Sequence, residues 1–269
     1  VTTPHASWAK YYDKTYQNSF GIFYDELTEV TLECVKGIQC SPARILDFGA
    51  GTGRLAVPLA KVGYTVVAMD PCAEMLAVLN SKASGENLAI ETVCCRMQDK
   101  DALSHFQSFD LALCVFTVLL YLLDEDSLKS SMQSAAHALG PGGHLLIDIP
   151  YKQIFQSYSR EQSDFVRDVT ITPIGDSIYE YDEKTRLLVD GAWVDYADRF
   201  QIRFWEKSQI IAALSGAGFV IEKNMSKHFA GAGAEYLLAC LNVRGGMKLL
   251  FFGRFETHLF FGGFSSTFH

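Results

Sequence analysis

Ile45-Leu46-Asp47-Phe48-Gly49-Ala50-Gly51-Thr52-Gly53-Arg54-Leu55-Ala56 is the stretch around which the chain is organised. An apolar run ends in an acid, breaks into three alternating glycines, and passes at once into a periodic apolar segment, Leu55 to Leu59. That order predicts a buried strand, a tight turn and a helix. The glycines admit positive φ and let a ligand approach the backbone closely. The new helix offers unpaired N–H groups at the same spot. A ligand with a nucleotide-like body is expected there.

Upstream, Leu27, Val30, Thr31, Cys34, Val35 and Ile38 recur at helical spacing, with Gly37 and Pro42 marking the end of that helix and the loop beyond. Before it, Val1 to Tyr16 is polar and aromatic, with Trp8, Tyr11, Tyr12 and Tyr16 close together. Downstream the pattern alternates. Tyr64 to Met69 is a β-rich run ending at Asp70, and Pro71 is placed to open a helix through Met75, Leu76 and Leu79. Leu88 to Cys94 reads as a third strand, followed by a short helix or loop around Asp99 to His105. Phe109 to Val115 reads as a fourth strand. Leu128, Met132, Ala135, Ala136 and Leu139 form one helix face that breaks at Gly140-Pro141-Gly142-Gly143. His144 to Ile149 is a fifth strand. Strands separated by helices, with near-continuous apolar character, predict a parallel sheet buried on both faces.

The texture changes after Pro150. Tyr151 to Gly175 reads as irregular. Ile178 to Phe204 alternates, with a turn expected at Glu183-Lys184-Thr185, and predicts two or three antiparallel strands wet on one face. A helix then returns through Ile210, Ile211 and Leu214 and stops at Gly216-Ala217-Gly218. Phe219 to Glu222 and Glu235 to Leu241 are too close for an intervening helix and predict an antiparallel hairpin at the sheet edge. Residues 1–150 and 206–243 are expected to form the main domain, 151–205 an inserted cap, and 244–269 a tail with six phenylalanines from Phe251 to Phe264.

The 269 residues are 49% hydrophobic and 20% charged, as in an ordinary globular protein. A net charge of −8 argues against duplex nucleic acid as the main partner, because there is no basic excess to neutralise phosphates. Seven cysteines without metal spacing fit reduced thiols, and no metal site is expected. Val1 to Lys10 lacks the apolar core of a signal peptide, and no apolar run reaches the roughly 18 residues that span a bilayer. A cytoplasmic protein without membrane contact is expected.

Three readings compete for the glycine turn. A phosphate-binding P-loop needs Lys and then Ser or Thr after its last glycine, where this chain has Arg54 and Leu55. A dinucleotide fingerprint needs its third glycine where Arg54 stands, because the glycines fall at 49, 51 and 53. The third reading is Asp-x-Gly-x-Gly-x-Gly, with the acid inside the motif. Asp47 to Gly53 in this form resembles the first motif of class I S-adenosylmethionine-dependent methyltransferases of the small-molecule type. Phe109-Asp110-Leu111-Ala112-Leu113 resembles their fourth-strand motif. Leu139 to Leu145 resembles the segment before their fifth strand, and Ala213 to Phe219 the turn before their sixth.

The resemblance implies a Rossmann-like α/β fold: a seven-stranded, mostly parallel sheet with helices on both faces, an antiparallel edge strand, and a small antiparallel β insertion over the active site. It implies S-adenosyl-L-methionine as cofactor and S-adenosyl-L-homocysteine as product. Asp47 would serve the cofactor's ammonium. Gly49, Ala50, Gly51 and Gly53 would leave room for its methionine and ribose. Asp70, 19 positions beyond Gly51, would grip the ribose hydroxyls, beside Pro71. Met75 would wall the adenine, Met97 and Gln98 would contact it, and Asp99 is an alternative in that loop. Phe116 and Thr117 would line the sulfonium pocket, and Tyr12 of the N-terminal segment would close over it, with Tyr11 and Trp8 as further candidates.

Methyl transfer is an in-line displacement of an already activated group, so alignment and water exclusion can supply most of the catalysis. A base is needed only for a protonated acceptor. Tyr121, Asp148 and Tyr151 are candidates on the acceptor side, with His228 more remote. The chain lacks the motifs of nucleic-acid methyltransferases, so a small-molecule acceptor is expected, attacking through nitrogen or oxygen, with the protein a monomer or homodimer. A non-catalytic cofactor-binding partner subunit and an NAD-dependent oxidoreductase are the alternatives.

Overall fold

A computed structural model describes residues 3–106 and 108–242. The phenylalanine-rich tail expected at 244–269 lies outside the described residues. A 3-10 helix over Ala6–Tyr11 leads into α1 (Tyr12–Phe20) and α2 (Ile22–Ile38). The main domain then runs β1 (Arg44–Phe48), α3 (Ala56–Lys61), β2 (Thr65–Met69), α4 (Ala73–Gly85), β3 (Ile90–Val93), β4 (Phe109–Cys114), α5 (Glu125–Ala138) and β5 (Leu139–Pro150). Next come β6 (Tyr158–Gln162), β7 (Phe165–Gly175), β8 (Ile178–Val189) and β9 (Ala192–Arg203), and then α6 (Lys207–Gly216), β10 (Phe219–Asn224) and β11 (Ala234–Leu241).

The seven-stranded sheet has the order β10-β11-β5-β4-β1-β2-β3. β1 to β5 are mutually parallel. β11 runs antiparallel to both β5 and β10, so the edge hairpin inserts its second strand against β5. Strand periodicity sorts the core into two halves. Leu46, Val67, Ala112, Leu145 and Ile147 pack under α5 and α6 through Met132, Ala135, Ile210 and Leu214. Ile45, Val66, Leu111, Leu113 and Leu146 pack under α2, α3 and α4 through Val35, Leu59 and Leu79. The strands are therefore buried on both faces, as their unbroken apolar runs require. Among the described residues no helix is long and apolar enough to cross a membrane. All seven cysteines are free thiols.

The cap is a four-stranded antiparallel sheet, β6-β7-β8-β9, not two or three strands. Tyr151 to Gly175 is not irregular, since β6 and β7 occupy most of it. The turn expected at Glu183-Lys184-Thr185 is absent: Glu183 pairs with Asp198 in mid-strand. The chain reverses instead at Asp190-Gly191, where both residues have positive φ, 50° and 80°. A two-residue hairpin turn needs that geometry, and Asp-Gly is a favoured sequence for it. Two further expectations shift. Helix α4 opens at Ala73 behind Cys72, so Pro71 lies outside it. Gly140 to Gly143 does end α5, but it forms an irregular lead-in to β5 whose register jumps between Phe109–Leu139 and Leu111–His144.

Residues 3–20 strap body to cap. Thr52 Oγ1 and Lys82 Nζ both donate to the Asp13 carboxylate, at 2.6 and 2.5 Å. Ala9 packs with Cys72 and Met75 of the body. On the cap side, Lys14 Nζ donates to Leu188 O at 2.8 Å, Thr15 hydrogen-bonds Tyr196, and Trp8 stacks on Tyr196 at 4.9 Å.

Candidate active site

The site lies at the carboxyl ends of β1, β2, β4 and β5, where open α/β sheets bind ligands. Three aspartates end or nearly end three of these strands. Asp47, Asp70 and Asp148 share strand parity with Ile45, Ala68 and Leu146, so all three project from the face packed by α2 to α4. All are buried. Burial, then the charge of Asp70, pushes Asp47 up to about 7 against the opposing N–H of Ala56. Burial pushes Asp148 up to about 7, opposed by the N–H groups of Thr117 and Phe116. Burial also raises Asp70, opposed by hydrogen bonds from Cys72 and Gly51. None of the three joins a salt bridge among the described residues. Desolvated carboxyls without a cation are costly, and a cationic ligand offsets that cost.

Asp70 spans the glycine turn. Its Oδ2 accepts from Gly51 N at 2.9 Å and its Oδ1 from Cys72 N at 2.8 Å. It thus closes the turn before α4 and also pins the turn after β1. The three glycines divide the work. A Cβ on Gly49 would stand 2.5 Å from Val118 Cγ2, and one on Gly53 2.8 Å from Leu79 Cγ. Those two admit the protein's own side chains. At Gly51 a Cβ meets only the flexible tip of Met75, at 3.3 Å. Gly51 is therefore the position where the backbone lies open.

Arg54, standing where a dinucleotide fold requires glycine, is a clamp. Its guanidinium carbon lies 3.8 Å from the ring centroids of both Tyr24 and Phe116. Its Nε donates to Thr28 Oγ1 at 2.7 Å and its Nη2 to Tyr24 O at 2.6 Å. It ties α2 to the loop after β4. In that loop Phe116 and Thr117 both have positive φ, 64° and 69°. Non-glycine residues rarely adopt that conformation. Asp148 holds it, accepting from Thr117 N at 2.9 Å. This engagement turns Asp148 toward the loop.

The other expected residues separate. Met97 is buried in the core with Met69 and Cys114, Gln98 is half-buried, and Asp99 closes its own turn by accepting from Arg96 N at 3.0 Å. Met75 is buried beside Gly51. Tyr12 stacks between Trp8 and Tyr16, at 5.3 and 4.4 Å. Tyr11 stacks on Tyr196 at 6.2 Å. Tyr151 and His228 are exposed. Tyr121 follows β4 on a 3-10 turn, Val118–Tyr121, which Trp205 grips by donating to Leu119 O and Leu122 O at 3.2 and 3.0 Å.

Sequence reading named Tyr121 and Tyr12 but missed Arg167, Glu183, His5 and Asp198, which surround them. The Tyr121 ring is 39% accessible, yet burial drives its phenol pKa well above the ordinary value, as do the nearby Tyr16, Asp70, Glu183 and Asp198. The ring sits where body, N-terminal segment and cap meet, 6.0 Å from the His5 ring and 5.7 Å from that of Phe200 on β9. Burial, with Tyr16, Tyr121 and Tyr24 close by, raises Tyr12 in the same way. On the cap side Arg167 forms a fully buried bidentate pair with Glu183, at 3.0 and 3.1 Å, and donates to Ser19 Oγ at 2.9 Å. Its charge is thereby spent inside the protein. His5 joins this wall through Tyr121 and Asp198. Only a Cys, His or acid motif would have flagged these positions, and none is present around them.

One group with metal-ligand chemistry exists among the described residues. His144, Glu222 and Cys240 bring their ligand atoms within 4.8 Å of one another. They lie on β5, β10 and β11, away from the carboxyl end of β5, and add nothing to this site.

Residues 45–143 match the family described as methyltransferase domain. A methyltransferase-like protein of Geobacillus sp. (strain WCH70) is 38% identical over 106 residues, which are 39% of this chain and 42% of that protein. The chain spans about two-fifths of the length of the curated relatives it matches. An S-adenosylmethionine-dependent methyltransferase of Clostridium acetobutylicum ATCC 824 superposes with a TM-score of 0.74 at 18% identity, over 88% of this chain and 98% of that one. An amino pentose methyltransferase of Micromonospora echinaspora, from calicheamicin biosynthesis, gives 0.66 at 19% identity, over 86% and 96%. At these identities the two structures show a shared fold. Matched segment and strand order agree: residues 45–143 match a methyltransferase domain, set in the fold shared with S-adenosylmethionine-dependent methyltransferases.

Proposed function

We propose that this protein moves a methyl group from S-adenosylmethionine to a nitrogen or oxygen of a small-molecule acceptor. The observation that carries the reading is the trio of buried acids, Asp47, Asp70 and Asp148, none of which joins a salt bridge among the described residues. S-adenosylmethionine brings an ammonium and a sulfonium, the cations such a site lacks. Asp47 faces the ammonium side and Asp70 the ribose, with Gly49, Ala50, Gly51 and Gly53 as the backbone cradle. Pro71 and Met75 border the ribose and adenine, with Met97 and Gln98 beyond. When bound, the cofactor supplies a methyl already activated on sulfur. The chain's part is to orient and to exclude water. Phe116, Thr117, Tyr12 and Tyr121 wall the reacting centre.

The division into a main domain (1–150 and 206–243) and a substrate-side cap (151–205) follows from this reading. So does a small acceptor held under a cap whose fully buried arginine, Arg167, is paired with Glu183. The activity of the amino pentose methyltransferase agrees with such an acceptor. A net charge of −8 speaks against a nucleic-acid partner. We expect a cytoplasmic monomer or homodimer. Titration calorimetry with S-adenosylhomocysteine and with NADH tests the assignment, and binding of NADH alone would sink it. Turnover of radiolabelled S-adenosylmethionine with amines and alcohols separates an enzyme from a non-catalytic binding subunit.

A further inference from the structure

We infer that Tyr121, held by His5 and Asp198, accepts a hydrogen bond from the attacking group, and that the acceptor is a primary or secondary amine. This rests on the methyl-transfer reading. His5 lies in the strap and Asp198 on β9, 193 positions apart. The backbone N–H of His5 donates to Asp198 Oδ2 at 2.6 Å, and Trp8 Nε1 donates to the same oxygen at 3.2 Å. His5 Nδ1 is buried without a hydrogen-bond partner, and the charged atom beside it is again that oxygen, at 3.5 Å. His5 reaches this position with a φ of 68°, uncommon for a residue with a Cβ. On its other side, Nε2 lies 2.8 Å from Tyr121 Oη.

These contacts choose the tautomer. A bare Nδ1 would set its lone pair against a carboxylate, so the proton belongs on Nδ1. Nε2 is then an acceptor and takes the Tyr121 O–H. The phenol hydrogen is spent on His5, and the phenol oxygen keeps its lone pairs for a bound acceptor. Tyr121 therefore accepts a hydrogen bond from an N–H or O–H, which leaves the nucleophile's own lone pair to attack. A tertiary amine or thioether has no such hydrogen.

Proton balance selects between nitrogen and oxygen. Burial, then the charge of Arg167, pushes His5 down to about 3, so it stays neutral and takes up no proton. A hydroxyl acceptor needs a base, and this chain of contacts has none. A neutral amine needs none. The S–CH3 bond breaks with its electron pair going to sulfur, the N–CH3 bond forms, and the proton stays on the product ammonium until it is released to water. Asp70, close enough to Tyr121 to raise its phenol pKa, leaves the site acidic toward that cation. Tyr121 touches the acceptor. His5 and Asp198 act through it as positioning residues.

The test uses the full chain. Long-range proton–nitrogen NMR of His5 should show Nδ1 protonated and Nε2 bare. An Nε2–H tautomer overturns the proposal whatever the acceptor. Turnover is then measured on primary, secondary and tertiary alkylamines and amino sugars beside the matching alcohols. Primary and secondary amines should be methylated. Methylation of alcohols without amines, or of no amine at all, overturns the proposal. Tyr121→Phe and His5→Ala should each lower kcat at least tenfold with S-adenosylhomocysteine affinity unchanged. His5→Gln, whose amide oxygen reaches the place of Nε2, should recover activity that His5→Asn does not. Asp198→Asn, which permits the wrong tautomer, should lower kcat in the same way. Unchanged kcat in Tyr121→Phe overturns the role of Tyr121. Loss of S-adenosylhomocysteine binding by the unaltered protein would instead refute the underlying reading.

Discussion

Replacing Asp70 with Ala separates its two roles. Its carboxylate accepts from Gly51 N at 2.9 Å and from Cys72 N at 2.8 Å. Hydrogen bonds to a charged group contribute about 1.5–3 kcal/mol each, and one lost here can be replaced by water entering the turn. Asp70→Ala should therefore destabilise the fold by roughly 1.5–3 kcal/mol, read by urea unfolding. If the carboxylate also binds the ribose hydroxyls, S-adenosylhomocysteine affinity should fall by a further ~1.5–3 kcal/mol, which is roughly ten- to a hundredfold in Kd by calorimetry. The same loss should not appear in Asp110→Ala, a control acid that accepts from Arg44 N at the opposite end of β1. A destabilised Asp70→Ala protein that binds S-adenosylhomocysteine as before would refute the ribose role and leave Asp70 a structural cap.

Three more outcomes follow from the geometry. Gly53→Ala sets a Cβ 2.8 Å from Leu79 Cγ at a φ of 85°, and Gly51→Ala meets only Met75 at 3.3 Å. Strain and overpacking should cost Gly53→Ala roughly 2–5 kcal/mol against roughly 1–2 for Gly51→Ala, and equal thermal shifts would contradict the division among the glycines. Asp148 titrates at about 7 when folded and near 3.9 when unfolded, so the native state holds its proton more tightly. Stability should then fall, by on the order of a few kcal/mol, as pH rises from about 4 to about 7, and stay level above that. Asp148→Asn should flatten that fall, and an unchanged slope in urea unfolding across this range would contradict the burial argument. Glu183→Ala strands the fully buried Arg167 and should cost about 3–5 kcal/mol in unfolding free energy, while the Arg167→Met, Glu183→Leu double variant should recover most of it.

The chain by itself determined what local rules can carry. Ile45 to Ala56 specified strand, turn and helix, because apolar period and glycine spacing act within a few residues. Asp47 inside the motif and Arg54 after it decided the ligand class. Asp70, Phe116 and Thr117 could be singled out because they follow strands β2 and β4 closely in sequence. The cap was misread where local signals compete. Glu183-Lys184-Thr185 is polar enough for a turn, but Glu183 is polar because it faces Arg167. The true reversal at Asp190-Gly191 depends on backbone sign. Tertiary structure alone decided the acceptor wall. His5 and Asp198 meet across 193 positions, and Arg54 becomes a clamp only once Tyr24 and Phe116 close on it. Such contacts are set by chain folding over long separations, so no spacing in the sequence records them. The glycine turn names the cofactor from its own dozen residues, whereas the acceptor is chosen where strap, cap and body converge.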